Sequence, residues 1–110
     1  MPWKVEILDN RVQRELASLS EDLRLSFQII VEAIEKHGLV ADDFPSRYIK
    51  HIEGKLWEMR MNGKDGIARA IYVTATRQRV VVLHAFVKKT QKTPKAALET
   101  ARKRAKEIKP

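Results

Sequence analysis

The chain has no cysteine, three histidines, four glycines and four prolines in 110 residues. Each shortage closes off a class of protein. Without thiols there is neither a disulfide framework nor a thiolate zinc centre, and His37, His51 and His84 are too dispersed to suggest an imidazole site. Neither a metal nor any other cofactor is therefore expected. So little glycine and proline beside 44% hydrophobic residues excludes a low-complexity or disordered chain. No apolar run approaches the roughly 20 residues of a membrane span. The opening MPWKVEIL also lacks the long apolar core and small-residue cleavage site of a secretory signal. The expected address is the cytoplasm, with no membrane partner. Acidic residues are scarce too, 14 against 22 Lys and Arg, giving a net charge of +8 and a pI near 10.0. That balance favours a polyanionic partner.

The positive charge is concentrated at one end. From residue 88 onward nine basic residues face only Glu99 and Glu107, a net +7, which leaves +1 for the first 87. A solvated helix face and a nucleic-acid footprint are the two readings of such a segment. The length suits one domain, residues 1–110, with the two-layer helix-on-sheet build natural at this size.

Hydrophobic periodicity orders the elements. WKVEIL (3–8) reads as a first strand ended by Asp9-Asn10, with Asn10 and Gln13 as a capping box for a helix over about 11–18. Ser18 with Glu21 repeats that signature. Ser20, Glu21 and Asp22 begin a second helix over about 21–37, where Leu23, Phe27, Ile30, Val31 and Ile34 form an apolar stripe that stops at Gly38. His37 belongs to its last turn and receives no role. A weak strand at about 47–52 leads into LWEMRM, whose alternation sends Trp57, Met59 and Met61 to the core and sets Glu58 beside Arg60 on the other face. The NGKDG hairpin signal at 62–66 turns the chain into IARAIYVTA. In that strand Arg69 shares a face with Ile67, Ile71 and Val73 and needs a carboxylate such as Glu58, or a phosphate.

After the turn at 76–79, strict alternation puts Val80, Val82, His84 and Phe86 on one face and Val81, Leu83, Ala85 and Val87 on the other. A strand apolar on both faces is central, so the exit residues Lys88, Lys89 and Lys92 form a rigid cationic lip suited to phosphate. Thr93 and Pro94 read as N-cap and first residue of a last, basic helix with Ala97, Leu98, Ala101, Ala105 and Ile108 inward. The class is α+β: an antiparallel sheet of the N-terminal strand plus a C-terminal meander, packed with an N-terminal helical hairpin and the basic helix.

With GKLWEMRM, ARAIY and VVLHAFVKKTQKTP in that strand order, nearly the whole chain resembles the RelE/ParE toxin superfamily, and within it the HigB-like, phage-related branch. The resemblance implies a RelE-like fold and the toxin of a type II toxin–antitoxin pair. Its activity would be that of a metal-independent, ribosome-dependent mRNA endoribonuclease, an mRNA interferase that inhibits translation. In that chemistry the ribose 2′-OH attacks the adjacent phosphate of mRNA in the ribosomal A site, which requires in-line placement, charge stabilisation and proton transfer.

Carried over by motif, Arg60 matches the arginine ending the tryptophan-containing strand, and Arg69 the arginine of the R-x-x-Y strand. Lys88 and Lys89 stand where the ribonuclease members end their last strand with His, Tyr or Arg. Ser46-Arg47 stands where some members carry a carboxylate base, which leaves Glu58 as the carboxylate candidate. His84 is an imidazole, the side-chain type suited to proton transfer near neutral pH, but a histidine in mid-strand among valines is more often a core residue. Lys55, Lys92, Lys95 and Arg102 complete the implied RNA contacts. The implied partner is a small helix-turn-helix antitoxin forming a hetero-oligomer. It would lay either an acidic segment over the Arg60, Arg69 and Lys88 face or a helix on the toxin's own helices. Two other readings share the fold or the charge: a ParE-like gyrase inhibitor that cuts nothing, and a plain RNA- or DNA-binding module.

Overall fold

The computed structural model describes residues 3–39, 48–64, 66–89 and 92–108. Along these run β1 (Lys4–Ile7), α1 (Asn10–Ala17), α2 (Glu21–His37), β2 (Ile49–Glu53), β3 (Leu56–Gly63), β4 (Gly66–Ala75), β5 (Arg79–Lys88) and α3 (Lys95–Ala105). The α+β class holds. The five strands form one sheet in the order β1-β5-β4-β3-β2.

The sheet is mixed, which corrects the antiparallel expectation. β2 to β5 form the antiparallel meander, but β1 lies parallel to β5, Lys4 opposite Arg79 through Ile7 opposite Val82. The two N-terminal helices and the meander supply the long crossover that a parallel pair needs. β5 is interior, as its two apolar faces require, while β4 holds the middle position.

Helices cover both faces, so the domain has three layers and not two. On one face α1 and α2 bury Val12, Leu16, Leu23, Ile30 and Ile34 against Met59, Met61, Ala68, Ala70 and Tyr72. On the other, α3 sets Ala97 and Ala101 against Leu56, Ile71, Val73, Val81 and Leu83. Small alanines let that helix sit close to branched strand residues. Trp57 shares the Met59 and Met61 face, but its place near the sheet edge leaves it 37% exposed, edge-on to His51 at 4.9 Å.

Several local devices differ from those the sequence implies. Asp9, not Asn10, caps α1, accepting from the Arg11 N–H at 3.0 Å and binding the Arg11 guanidinium as well. Ser18 closes α1, and the Ser20 hydroxyl at the start of α2 donates to Asp22 and caps no backbone group. Gly38 does end α2, with φ 78°, and a β-carbon there would meet the Trp3 ring at 3.0 Å. Gly63 and Gly66 pair across the hairpin without positive φ. Gly63 is small because the Asp22 carboxylate comes within 2.6 Å of where its β-carbon would stand. The non-glycine left-handed residues of the meander are Arg77 (φ 65°) and Gln78 (φ 57°), in the β4–β5 turn, while Gly54 (φ 49°) takes that conformation in the β2–β3 turn.

The decisive irregularity lies in β5. Ile71 pairs with His84 but Tyr72 pairs with Val82, so Leu83 is an extra residue and strict alternation fails there. Val80, Val82 and Ala85 consequently share the α1/α2 core, while Val81, Leu83 and Phe86 pack on the α3 side. The face assignment expected beyond Leu83 is inverted, which brings His84, Phe86 and Lys88 onto the face of Arg69. β1 ends opposite Val82, and side chains meet two backbone groups of the strand edge just beyond it. Arg104 of α3 donates to Leu83 O at 2.9 Å, and Glu15 of α1 accepts from Ala85 N–H at 3.1 Å.

Candidate phosphate-binding site on the open half of the sheet

α3 covers only one half of its sheet face. Beyond its first turn the middle of β3, the start of β4 and the end of β5 present Glu58, Arg60, Arg69 and Lys88 together. Arg60 and Arg69 are direct cross-strand partners, as are Lys50 and Glu58. Two arginines directly opposite destabilise a sheet unless an anion lies between or above them. Here Glu58, 2% exposed, is that anion in part, its Oε1 3.7 Å from Arg69 Nε and 3.8 Å from Arg60 Nε. Both distances exceed hydrogen-bond length. Each Nε is buried and without a hydrogen-bond partner, although Arg69 Nη1 donates to Ala68 O at 2.9 Å.

Lys88, 6% exposed, is a second buried cation after Arg69, beside the half-buried Arg60, at the position opposite Ile67. Burial, and next the charge of Arg69, pull its ammonium below the ordinary lysine range, with Glu58 opposing. Burial likewise lowers Arg69, Glu58 opposing and Arg60 adding to the effect. The resulting imbalance is plain: one buried carboxylate among Arg60, Arg69 and Lys88, with Lys50 adding its own repulsion to Lys88. Water-starved positive charge in excess of its counter-charge is a receptor for an anion, and guanidinium donors fit phosphate oxygens in pairs.

A cavity of about 290 Å³ opens onto this cluster, bounded by Lys50, Ile52, Glu58, Lys88, Lys92 and Thr93. Thr93 does not cap α3. Pro94 occupies the cap position, and the Thr93 hydroxyl instead donates to Glu58 Oε2 at 3.2 Å, fixing the carboxylate from above.

The remaining expected residues divide. Lys89 is exposed just past β5, and Lys92 and Lys95 are exposed at the approach to α3, all three beside the cluster along the chain. Lys55 and Arg102 are not part of it. Lys55 sits in the β2–β3 turn, and Arg102 lies on the second half of α3, paired with Glu53. His84 shares the sheet face but lies four residues, about 13 Å, back along β5 from Lys88. Its ring stacks on Phe86 at 5.2 Å, and Nδ1 approaches Glu15 Oε1 at 3.0 Å without hydrogen-bond alignment. Glu15 also binds Arg104 at 2.9 Å, so His84 belongs to the clip joining α1, β5 and α3. Tyr72 of the R-x-x-Y stretch is a core residue, 1% exposed. Ser46-Arg47 lies outside the described residues.

Lys50 and Thr93 were missed. The register of LWEMRM against YIKHIE carried a signal for Lys50, since pairing the two strands sets a cation opposite Glu58. Thr93 had none, because a threonine before a proline reads as a cap. Among the described residues no three His, Asp or Glu side chains converge as a metal site, and no helix is long and apolar enough to cross a membrane.

No curated protein matches the chain. A family model, that of the Gp49-like phage-derived proteins, matches residues 14–106, which takes in every side chain of the cluster and all of α2 and α3. The chain therefore belongs to the Gp49-like phage-derived protein family, a family associated with toxin–antitoxin modules.

Proposed function

We propose that this protein is the toxin of a type II toxin–antitoxin pair and acts as an endoribonuclease on mRNA in the ribosomal A site, held in check by a helix-turn-helix antitoxin. The observation that carries the reading is the excess of positive charge: the buried Arg69 and Lys88 and the half-buried Arg60 around the carboxylate of Glu58, both arginine Nε groups lacking acceptors. An RNA phosphodiester entering above the arginines supplies those acceptors. Arg60 and Arg69 then hold the non-bridging oxygens and favour the transition state, in which their charge grows. Glu58 takes the proton of the 2′-OH as the O2′–P bond forms. Lys88, its proton made easier to release by burial and by Arg69, gives one to the departing 5′ oxygen as the P–O5′ bond breaks. The products are a 2′,3′-cyclic phosphate and a 5′-hydroxyl end. Lys89, Lys92 and Lys95 steer the strand toward the site.

Sequencing mRNA 5′ ends after a brief pulse of expression tests this directly. New 5′-hydroxyl ends within translated frames are expected, absent with Arg69→Ala. Intact mRNA in arrested cells would refute the nuclease reading and move the protein to the gyrase-inhibitor class.

A further inference from the structure

A groove lies at the opposite end of α3 from the phosphate-binding cluster. It has a volume of about 630 Å³ and runs between the second half of α3 and the adjoining ends of β3 and β4. Leu56, Val73 and Ile108 are among the residues of its apolar floor, and Lys55, Arg102 and Lys106 stand around it. From Lys95 to Ala105 the helix rises about 15 Å, so an occupant of this groove leaves the Arg69 cluster uncovered.

We propose that this groove is a protein-docking site for an acidic amphipathic segment of a partner, its apolar side chains on the floor and its carboxylates over Lys55, Arg102 and Lys106. Three observations select that occupant. A purely apolar partner would leave the cations desolvated and unpaired, whereas carboxylates pair with them. Among the described residues no aromatic side chain lines the groove, which offers single-stranded RNA no stacking surface there. A second copy of this chain is repelled, since each copy carries +8. Arg102 is engaged with Glu53 at an exposed site, a pair that an incoming carboxylate can exchange at little cost. The docking site stands independently of the nuclease reading, because no residue of the cluster lines it.

The test is selection from a random 16-residue peptide library on the intact protein, counter-selected on Lys106→Glu, followed by methyl NMR with the winning peptide. Enriched sequences should carry Asp or Glu together with apolar residues at helical spacing, and should shift the methyls of Leu56, Val73 and Ile108. Lys106→Glu should weaken binding at least tenfold without changing growth arrest. Ile108→Glu, near the end of the chain, is a second variant for the apolar contact. Enrichment without acidic residues, or shifts at Ile67 beside the cluster in place of the groove methyls, would overturn the proposal. So would a 16-nucleotide uridine oligomer moving the groove methyls as strongly as the peptide does.

Discussion

If Arg60, Arg69 and Lys88 are held for an absent anion, removing one cation should relieve the fold, and removing the carboxylate should damage it. Lys88→Met keeps the length of the stem and deletes the charge, leaving two arginines around Glu58, still more than enough to neutralise it. Replacing a buried, poorly compensated charge by an apolar residue of similar volume is worth about 1–2 kcal/mol in favour of the fold. In a domain of this size that corresponds to a Tm higher by roughly 4–8 °C. Glu58→Gln preserves an acceptor for Thr93 but leaves the buried Arg69 and Lys88, with the half-buried Arg60, without their counter-charge, and should cost about 3–5 kcal/mol.

The two variants therefore move urea midpoints in opposite directions at pH 7, while both lose RNA cleavage. The pH dependence adds a sign of its own. The Lys88 pKa is lower in the native state than the unfolded value near 10.5, so between those two values the unfolded chain binds more protons and stability rises with pH. The advantage of Lys88→Met over the native sequence is accordingly full at neutral pH and shrinks as pH climbs through that window. A Lys88→Met protein less stable than the native one at pH 7 would refute the reasoning. The cluster would then be a structural ion network and no receptor.

Arg69→Ala should abolish growth arrest and lower cleavage by about 10²–10³-fold, as expected for one lost transition-state donor, with a cooperative melt retained; an intact arrest phenotype rules out the clamp. Changing Lys88, Lys89 and Lys92 together to Gln should flatten the plot of log affinity for single-stranded RNA against log salt by about 2, from roughly 0.7 per lost phosphate contact. An unchanged slope in filter binding would place the footprint elsewhere. Gln78→Gly in the β4–β5 turn should raise stability by about 0.5–1 kcal/mol, because a left-handed non-glycine residue carries strain that glycine lacks. Denaturant titration checks it, and a loss of stability would mean that the Gln78 side chain matters more than its backbone.

Much of this architecture was legible because periodicity reports burial. The stripe of α2, the alternation of β3 and the double apolar face of β5 each reach the structure at nearly the expected bounds. The parallel docking of β1 was not legible. Four residues carry no directional signal, and the pairing is decided by where α1 and α2 deliver the chain. Arg60, Arg69 and Glu58 could be found from sequence because charge in an apolar strand is itself an anomaly. Lys88 was found as part of a lip and turned out to be a buried member of the site.

The bulge at Leu83 accounts for that difference and ties fold to function. With unbroken alternation, Lys88 would fall on the side of Val80 and Val82, beneath α1 and α2, where the core is apolar. One extra residue turns the last five positions of β5 over, so Lys88 faces Glu58 and Arg69 while Ala85, small enough for the helical side, takes the place of a larger neighbour. Where β1 ends opposite Val82, next to the bulge, Glu15 accepts from the Ala85 N–H and Arg104 donates to the Leu83 carbonyl of the β5 edge, and His84 belongs to that clip. Two features that look separate in the sequence, a histidine among valines and a lysine at a strand end, thus follow from one inserted residue. In the proposed nuclease the proton-transfer role is given to the lysine because the bulge sets it, and not the histidine, beside the arginines.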